Sequence, residues 1–356
     1  KFGPRKCLII DGFAGPGKYK DDSDGSPIIL IKNAMDFYEQ SESYGWDEPQ
    51  IYILLNELDP ENHKKLIENV KGLGFESSNN RTFKSKRFNS IKILIDNNTF
   101  EDFFRNILSV TKKGNSLIPS FCFVDPFGFS STPFRLFIEY LKNDNSELLI
   151  NFIYEFTNRF IRHPNEKIKE QISDHMGLVN LEELASNVKD LTPIDRKYFI
   201  IETYTKNLLE ETNATFVRNF DIKVDGKTKM ILFHVTKNIN GLMLMKETMW
   251  KFDETGQYVY DVNANRVKQL EFDEILAGDR QNHLEVLSNQ ISTHFSNKKA
   301  VSMDDIEIFV AAETDYPISN FMKPALKILE ENDIIYNFRG RKRKMTYPKK
   351  TVMDFI

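Results

Sequence analysis

Short apolar runs alternating with helical stretches constrain this chain more than any other feature. Residues 7–11 (Cys-Leu-Ile-Ile-Asp), Ile51–Asn56, Phe121–Asp125 and Glu147–Tyr154 each read as a strand, with a weaker one near 82–88. The runs are apolar on successive residues, which fits strands covered on both faces. Helical stretches separate them, at 26–39 (Ser26 as N-cap, Pro27 in the first turn) and at 100–110. Repeated βαβ units imply an α/β fold, with a mostly parallel sheet and helices on both faces.

The second half modifies this plan. Residues 161–213 are polar and helical in character, a helical insertion. Thr215–Val224 and Lys229–Thr236 then read as two strands joined by Asp225-Gly226, a hairpin turn. A helix at 239–250 carries a Met and Leu stripe that reads as core packing. After about 280 the pattern becomes three short helices (283–297, 302–313, 317–331) and two strands (Ile334–Phe338, Lys342–Tyr347) around Arg339-Gly340-Arg341. Three helices and a two-stranded wing describe a winged helix. The expected division is therefore 1–280, a Rossmann-like domain, and 281–356, a winged-helix domain.

Composition narrows the partners. The net charge over 356 residues is −4, so a nucleic-acid surface has to be local. The candidate is the wing, where Arg339, Arg341, Lys342, Arg343 and Lys344 cluster. The 29 Phe residues point to a Phe-rich core. Cys7 and Cys122 sit in apolar runs, as buried, reduced thiols of the cytoplasm do. The six histidines are scattered and give no metal-ligand spacing, so no metal is expected. No apolar run approaches the ~20 residues of a membrane span, and no signal peptide is visible.

Asp11-Gly12-Phe13-Ala14-Gly15-Pro16-Gly17-Lys18-Tyr19 is the richest segment. Gly12 to Lys18 matches the spacing of a phosphate-binding P-loop, but Tyr19 stands where such a loop needs Ser or Thr for magnesium. A plain strand-to-helix turn is the second reading. The third is a loop for S-adenosylmethionine (SAM), where glycines let the backbone pass close to the cofactor and a carboxylate at the strand end holds its ammonium. Glu57, after the second strand, is placed to bind ribose hydroxyls, with Asp59 competing. Asp125-Pro126-Phe127-Gly128 has the shape of an amino-methyltransferase site. A carboxylate or carbonyl accepts from the target amine, and a flat side chain, Phe127 or Phe129, stacks on the base. An Asp-Pro turn capping a strand remains the plain alternative.

Taken in order, Asp11–Tyr19, Gly25-Ser26-Pro27, Asn56-Glu57-Leu58-Asp59-Pro60, Asp125–Gly128 and Asn158-Arg159-Phe160 resemble the three-Cys-motif partner (TcmP) proteins, over about residues 7 to 350. That resemblance implies a bacterial setting and a separate three-Cys-motif protein as partner. The N-terminal motifs are also similar to the ribosomal RNA adenine-N6 methyltransferases. This likeness implies a class I methyltransferase sheet and a SAM site lined by Asp11, Phe13, Ala14, Gly15, Gly17 and Tyr19. It implies that Ser26 touches the methionine carboxylate, that Glu57 binds ribose and that Asn89 lies near the adenine. Asp125, with Pro126 and Phe127, would be catalytic and border the cofactor, and RNA or DNA would be the substrate. Two positions depart from the pattern, Phe127 where Pro is usual and Gly128 where an aromatic is usual. They keep a second function open, a non-catalytic SAM-binding or assembly subunit for the three-Cys partner. A nucleotide hydrolase working through Gly12–Lys18 is the third.

Overall fold

A computed structural model of the chain describes residues 6–45, 49–110, 116–126, 132–263 and 273–356. The chain packs as two compact units. One is Lys1–Val217 with Met230–Lys237, the other Arg218–Lys229 with Asn238–Ile356.

The first unit is built on parallel strands β1 (Lys6–Asp11), β2 (Gln50–Asn56), β4 (Ile91–Asp96), β5 (Ser120–Val124) and β6 (Ser146–Phe152). A short β3 (Thr82–Lys84) runs antiparallel at the edge against β4, and β8 (Lys227–Thr236) antiparallel to β6. The order is β3-β4-β2-β1-β5-β6-β8, and β7 (Phe216–Val224) sets out beside β8, with Thr215 N donating to Thr236 O at 3.1 Å. Without the β3 edge, this is the order and the reversed strand of the class I methyltransferase sheet. Because side chains alternate along each strand, two cores form. Leu8 and Ile10 meet α3 (Phe100–Ser109), α4 (Phe134–Leu141), α6 (Glu166–Met176), α7 (Leu181–Asn187) and α8 (Pro193–Glu211) on one face. Ile51, Ile53, Ile91 and Ile93 meet α1 (Ser26–Ser43) and α2 (Pro60–Gly72) on the other. Phe75, Phe83, Phe103, Phe104, Phe137 and Phe152 are fully buried, as the Phe-rich composition implies. Each contributes on the order of 1.5–3 kcal/mol of hydrophobic stabilisation. A further helix, α5 (Tyr154–Phe160), starts directly after β6.

The weaker strand expected near 82–88 is the short antiparallel β3, and the third parallel strand is β4 after it. Lys92 hides it in the sequence. That lysine interrupts the apolar pattern, yet its ammonium lies over the Tyr52 ring, 5.5 Å from the centroid.

The second unit contains α9 (Ile239–Trp250), β9 (Val259–Asp261), α10 (Asp273–Phe295), β10 (Val301–Ser302), α11 (Met303–Glu313), α12 (Lys323–Glu331), β11 (Ile335–Arg339) and β12 (Val352–Phe355). It also holds the tip of the β7–β8 hairpin, where Asp225 and Gly226 take φ of 52° and 74°, the form of a tight hairpin turn. The outer half of β7 pairs with β9, Asp221 opposite Val259. The expected boundary at 280 therefore moves to 238. Trp250 belongs to the same core as Leu287, Ile306 and Phe355. Lys246 is buried and donates to the carbonyls of Val310 (2.8 Å), Ala311 (3.0 Å) and Thr314 (2.8 Å), closing the C-terminal end of α11. The Met and Leu stripe is only partly core, since Leu242 and Met249 are buried and Leu244 is exposed.

Two further expectations change here. The helix read at 317–331 is a π-turn (Ile318–Met322) followed by α12, because Pro324 cannot continue the hydrogen-bond ladder of a longer helix. Lys342–Tyr347 is not a strand. The partner of β11 is β12, in a three-stranded sheet ordered β10-β12-β11. Between β11 and β12 the chain turns at Gly340 (φ +78°), where an added Cβ would sit 2.1 Å from Lys350 O.

Candidate active site

Three carboxylates gather at the carboxyl ends of adjacent strands. Asp11 ends β1, Glu57 follows β2 and Asp125 follows β5. β1 lies between the other two strands. The ends of parallel strands are where open α/β sheets bind ligands.

Asp11 is fully buried and organises the loop after β1. One carboxylate oxygen accepts from Phe13 N (3.1 Å) and the other from Ser26 Oγ (2.7 Å). Ser26 therefore does not cap α1. The cap position is Gly25, with no side-chain cap bond, and the Ser26 hydroxyl is turned to Asp11. Burial pushes the Asp11 carboxyl up to about 6, against the two hydrogen bonds, and the nearby Asp125 and Glu57 charges push the same way.

Gly12 has no room for a side chain, because a Cβ would meet the Phe100 ring at 2.6 Å. Phe13 stacks on that ring, centroids 4.9 Å apart. Ala14 N donates to Asn56 O at 2.9 Å. Gly15 and Gly17 take φ of 62° and 86°, which glycine adopts without strain. Gly25 N donates back to Gly17 O (2.8 Å), folding residues 17–25 into a reverse loop. Tyr19 stands on that loop, largely exposed, and among the described residues forms no hydrogen bond with Asp11, Glu57 or Asp125. Lys18 pairs with Asp22 (2.8 Å), and α1 begins only at Ser26. A P-loop lysine starts its helix and faces phosphate, so this geometry does not support that reading.

Glu57 is buried. Its Oε1 accepts from Asp59 N (2.7 Å), and Oε2 has no partner among the described residues. Asp59 is the N-cap of α2, accepting from Asn62 N at 2.8 Å, so it has a structural task of its own. Asn56 donates to Gly12 O (3.3 Å) and Asn98 O (3.1 Å), joining the loops after β1 and β4. Asn97 donates to Glu57 O (2.7 Å) and Leu58 O (2.9 Å).

Asn89 is corrected. It precedes β4, whose Ile91 pairs with Ile51 near the start of β2, so it lies at the amino end of the sheet. The polar residues after the third parallel strand are Asp96, Asn97 and Asn98. The misplaced strand carried the assignment with it.

Asp125 accepts from Asn151 Nδ2 at 2.5 Å, and burial raises its carboxyl above the usual range while that bond opposes the rise. Pro126 is buried beside it. Phe127, Gly128 and Phe129 lie outside the described residues. Asn151 is not among the residues the sequence motifs mark, which are acids at strand ends. The signal was present, a lone amide at the end of an apolar strand. Arg159 pairs with Glu155 one turn earlier on α5 (3.5 Å).

In the second unit, two of the five basic wing residues are already engaged. Arg341 makes a bidentate pair with Glu330 (2.5 and 2.8 Å), lies over the Phe338 ring at 3.4 Å, and is largely buried. Arg339 pairs with Asp354 (2.8 Å). Lys342, Arg343 and Lys344 are exposed and form no ion pair among the described residues.

Cavities of about 600 Å³ beside His294 and Phe309 and of about 320 Å³ beside His163 and Leu181 are not lined by any of the three carboxylates. Among the described residues, no helix is long and apolar enough to cross a membrane.

No protein-family model matches this chain, and no curated protein matches it. Among solved structures it is similar to Trm1 from Pyrococcus horikoshii in complex with S-adenosyl-L-methionine, at 11% identity and a TM-score of 0.31. The match covers 70% of this chain and 56% of that one. It is also similar to geranyl diphosphate methyltransferase in complex with GPP and sinefungin, at 11% identity and a TM-score of 0.25, over 66% of this chain and 74% of that one.

Proposed function

We propose that the chain is a SAM-dependent methyltransferase acting on an exocyclic amine of a nucleic-acid base, with adenine N6 the expected position. The observation that carries this reading is the meeting of Asp11, Glu57 and Asp125 at three neighbouring strand ends, with no cation paired to any of them among the described residues. Such a site fits a ligand that brings positive charge, and SAM carries an ammonium and a sulfonium. When bound, SAM supplies the methyl carbon. The loop from Gly12 to Gly17 offers backbone without side-chain bulk, and Glu57 Oε2 offers an acceptor for ribose hydroxyls. Asp11 acts through its charge and by holding Phe13 and Ser26 in place. Asp125 has one oxygen without a partner among the described residues, and that oxygen would accept an amine N–H as the nitrogen bonds to the methyl carbon and gains positive charge.

Calorimetry with SAM tests the cofactor site. Wild type is expected to bind in the micromolar range, and Glu57→Ala to bind about 10- to 100-fold more weakly, the size of a hydrogen bond to a charged group. No binding by folded wild type rejects the reading.

The affinity is also expected to depend on pH. A carboxyl that titrates near 6 when folded, and at 3.8 otherwise, keeps its proton between those values in the folded chain. The folded state then binds more protons than the unfolded one, so this group's contribution to apoprotein stability falls as pH rises from about 4 to 6. Ionised Asp11 attracts the ammonium, so SAM affinity rises through about pH 6 and falls again as the amine deprotonates near 8. Melting temperatures with and without SAM at pH 5, 7 and 9 check this. An affinity flat from pH 5 to 7 counts against it.

The β10-β12-β11 sheet with α10, α11 and α12 supports a winged-helix reading of the second unit, with Lys342, Arg343 and Lys344 as its phosphate contacts. Reversing these three charges is expected to weaken RNA or DNA binding and to flatten its salt dependence by about one unit of slope per lost contact.

A second reading rests on Phe127 and Gly128, which depart from the amino-methyltransferase pattern. It makes the chain a non-catalytic subunit for a three-Cys-motif partner.

A further inference from the structure

We propose that Asn151 is a positioning residue of the site, whose amide occupies one Asp125 oxygen so that the other is the fixed acceptor for the substrate amine. This rests on the methyltransferase reading and names a residue it had not included.

Asn151 is the sixth residue of β6 and is 4% exposed. Its flanking residues, Ile150 and Phe152, are apolar and buried, and Leu232 of β8 is opposite it. Its side chain makes one hydrogen bond among the described residues, the one to Asp125 Oδ1, and its own Oδ1 is buried without a partner. A buried amide with an orphaned oxygen is a costly residue for packing alone. Its amide nitrogen donates to a carboxylate at the end of the neighbouring strand. That contact also fixes the orientation of the amide, because an ionised carboxylate only accepts.

Burial acts against an ionised Asp125. The charged groups at the neighbouring strand ends, Asp11 on β1 and Glu57 after β2, are acids and offer it no counter-charge. His175 on α6 stacks on Phe152 (5.4 Å), and burial lowers its pKa to about 4, so it stays neutral near pH 7. Among the described residues around Asp125, the Asn151 amide is the group that favours the ionised form. Without it, Asp125 keeps its proton to higher pH and presents a donor where the amine needs an acceptor.

The test is a ¹³C NMR titration of the full chain labelled at aspartate Cγ, with Asp125→Asn identifying the resonance. Asn151→Leu keeps the volume and removes the donor, and Asn151→Ala is a second donor-free variant should Leu fail to fold. In the variant that folds, Asp125 is expected to titrate about one pH unit higher or more. In parallel, transfer from methyl-tritiated SAM to pooled RNA is expected to show the acid limb of kcat moved up by the same amount, with the KM for SAM unchanged. A structural role alone would lower kcat without moving the limb. An unmoved Asp125 resonance in a folded variant overturns the proposal. Absence of transfer by wild type rejects the enzyme reading instead, and the NMR titration still decides whether Asn151 tunes Asp125.

Discussion

Asp125→Ala is expected to slow methyl transfer by about 10²- to 10⁴-fold, the range of a positioned proton acceptor. Affinity for SAM is expected to hold within about threefold, because removing this carboxylate also removes one of the charges that push Asp11 up. Asp125→Asn should fall between the two, since its amide oxygen still accepts. Single-turnover transfer from methyl-tritiated SAM to pooled RNA, with SAM calorimetry beside it, separates the effects. A rate unchanged in Asp125→Ala would remove Asp125 from the chemistry. If cellular function also survived the substitution, the assembly-subunit reading would take its place.

Glu330→Ala is the second large effect, on stability. Glu330 accepts from both Arg341 nitrogens and from Tyr347 OH (2.7 Å), so one carboxylate ties α12 to the loop between β11 and β12. The Arg341 guanidinium holds the Glu330 carboxyl below its usual range. Removing the acid leaves a nearly buried guanidinium without its partner, while Tyr347 OH keeps the Leu326 carbonyl at 3.1 Å. This is expected to destabilise the second unit by about 3–5 kcal/mol, the cost of breaking a buried ion pair from one side. Arg339→Ala should cost about 1 kcal/mol or less, since Arg339 is half exposed in its pair with Asp354. Amide exchange over 335–355 measures both. Equal protection in Glu330→Ala and wild type would refute the assignment.

These two residues show what the sequence can and cannot reveal. The ends of β1, β2 and β5 were legible because an apolar run that stops at an acid has one simple structural meaning. Asp11, Glu57 and Asp125 follow from it directly. The glycine loop was legible as a close-approach loop, though not the pairing of Ser26 with Asp11. That pairing depends on where α1 packs, and Ser-Pro alone reads as a helix cap. The basic wing misled for a similar reason. Arg341 and Lys342 are adjacent and alike in the sequence. One folds onto Glu330 eleven residues earlier, and the other faces solvent. Lys246 is the same lesson reversed, a charge inside a helix core because the end of α11 leaves carbonyls that need donors. Asn89 was misplaced by one charged residue, Lys92, inside a strand. The misses at Arg341, Lys246 and Lys92 trace to a long side chain whose partner the local sequence does not show.

The β7–β8 hairpin has a consequence for how the polypeptide becomes folded on the ribosome. The first unit is complete once residue 237 has emerged, because Met230–Lys237 is its last segment. The tip, Arg218–Lys229, is made by then but belongs with residues still to come. Arg218 pairs with Asp315 (2.8 Å) and donates to Thr314 O (3.0 Å), about a hundred residues later. Synthesis therefore leaves an extended two-stranded arm waiting for its partners. A cut after 237 keeps every segment of the first unit and takes the tip from the second, and a cut before 218 keeps every segment of the second and takes Met230–Lys237 from the first. Translation orders what the sequence interleaves, so the arm is made early and packed late.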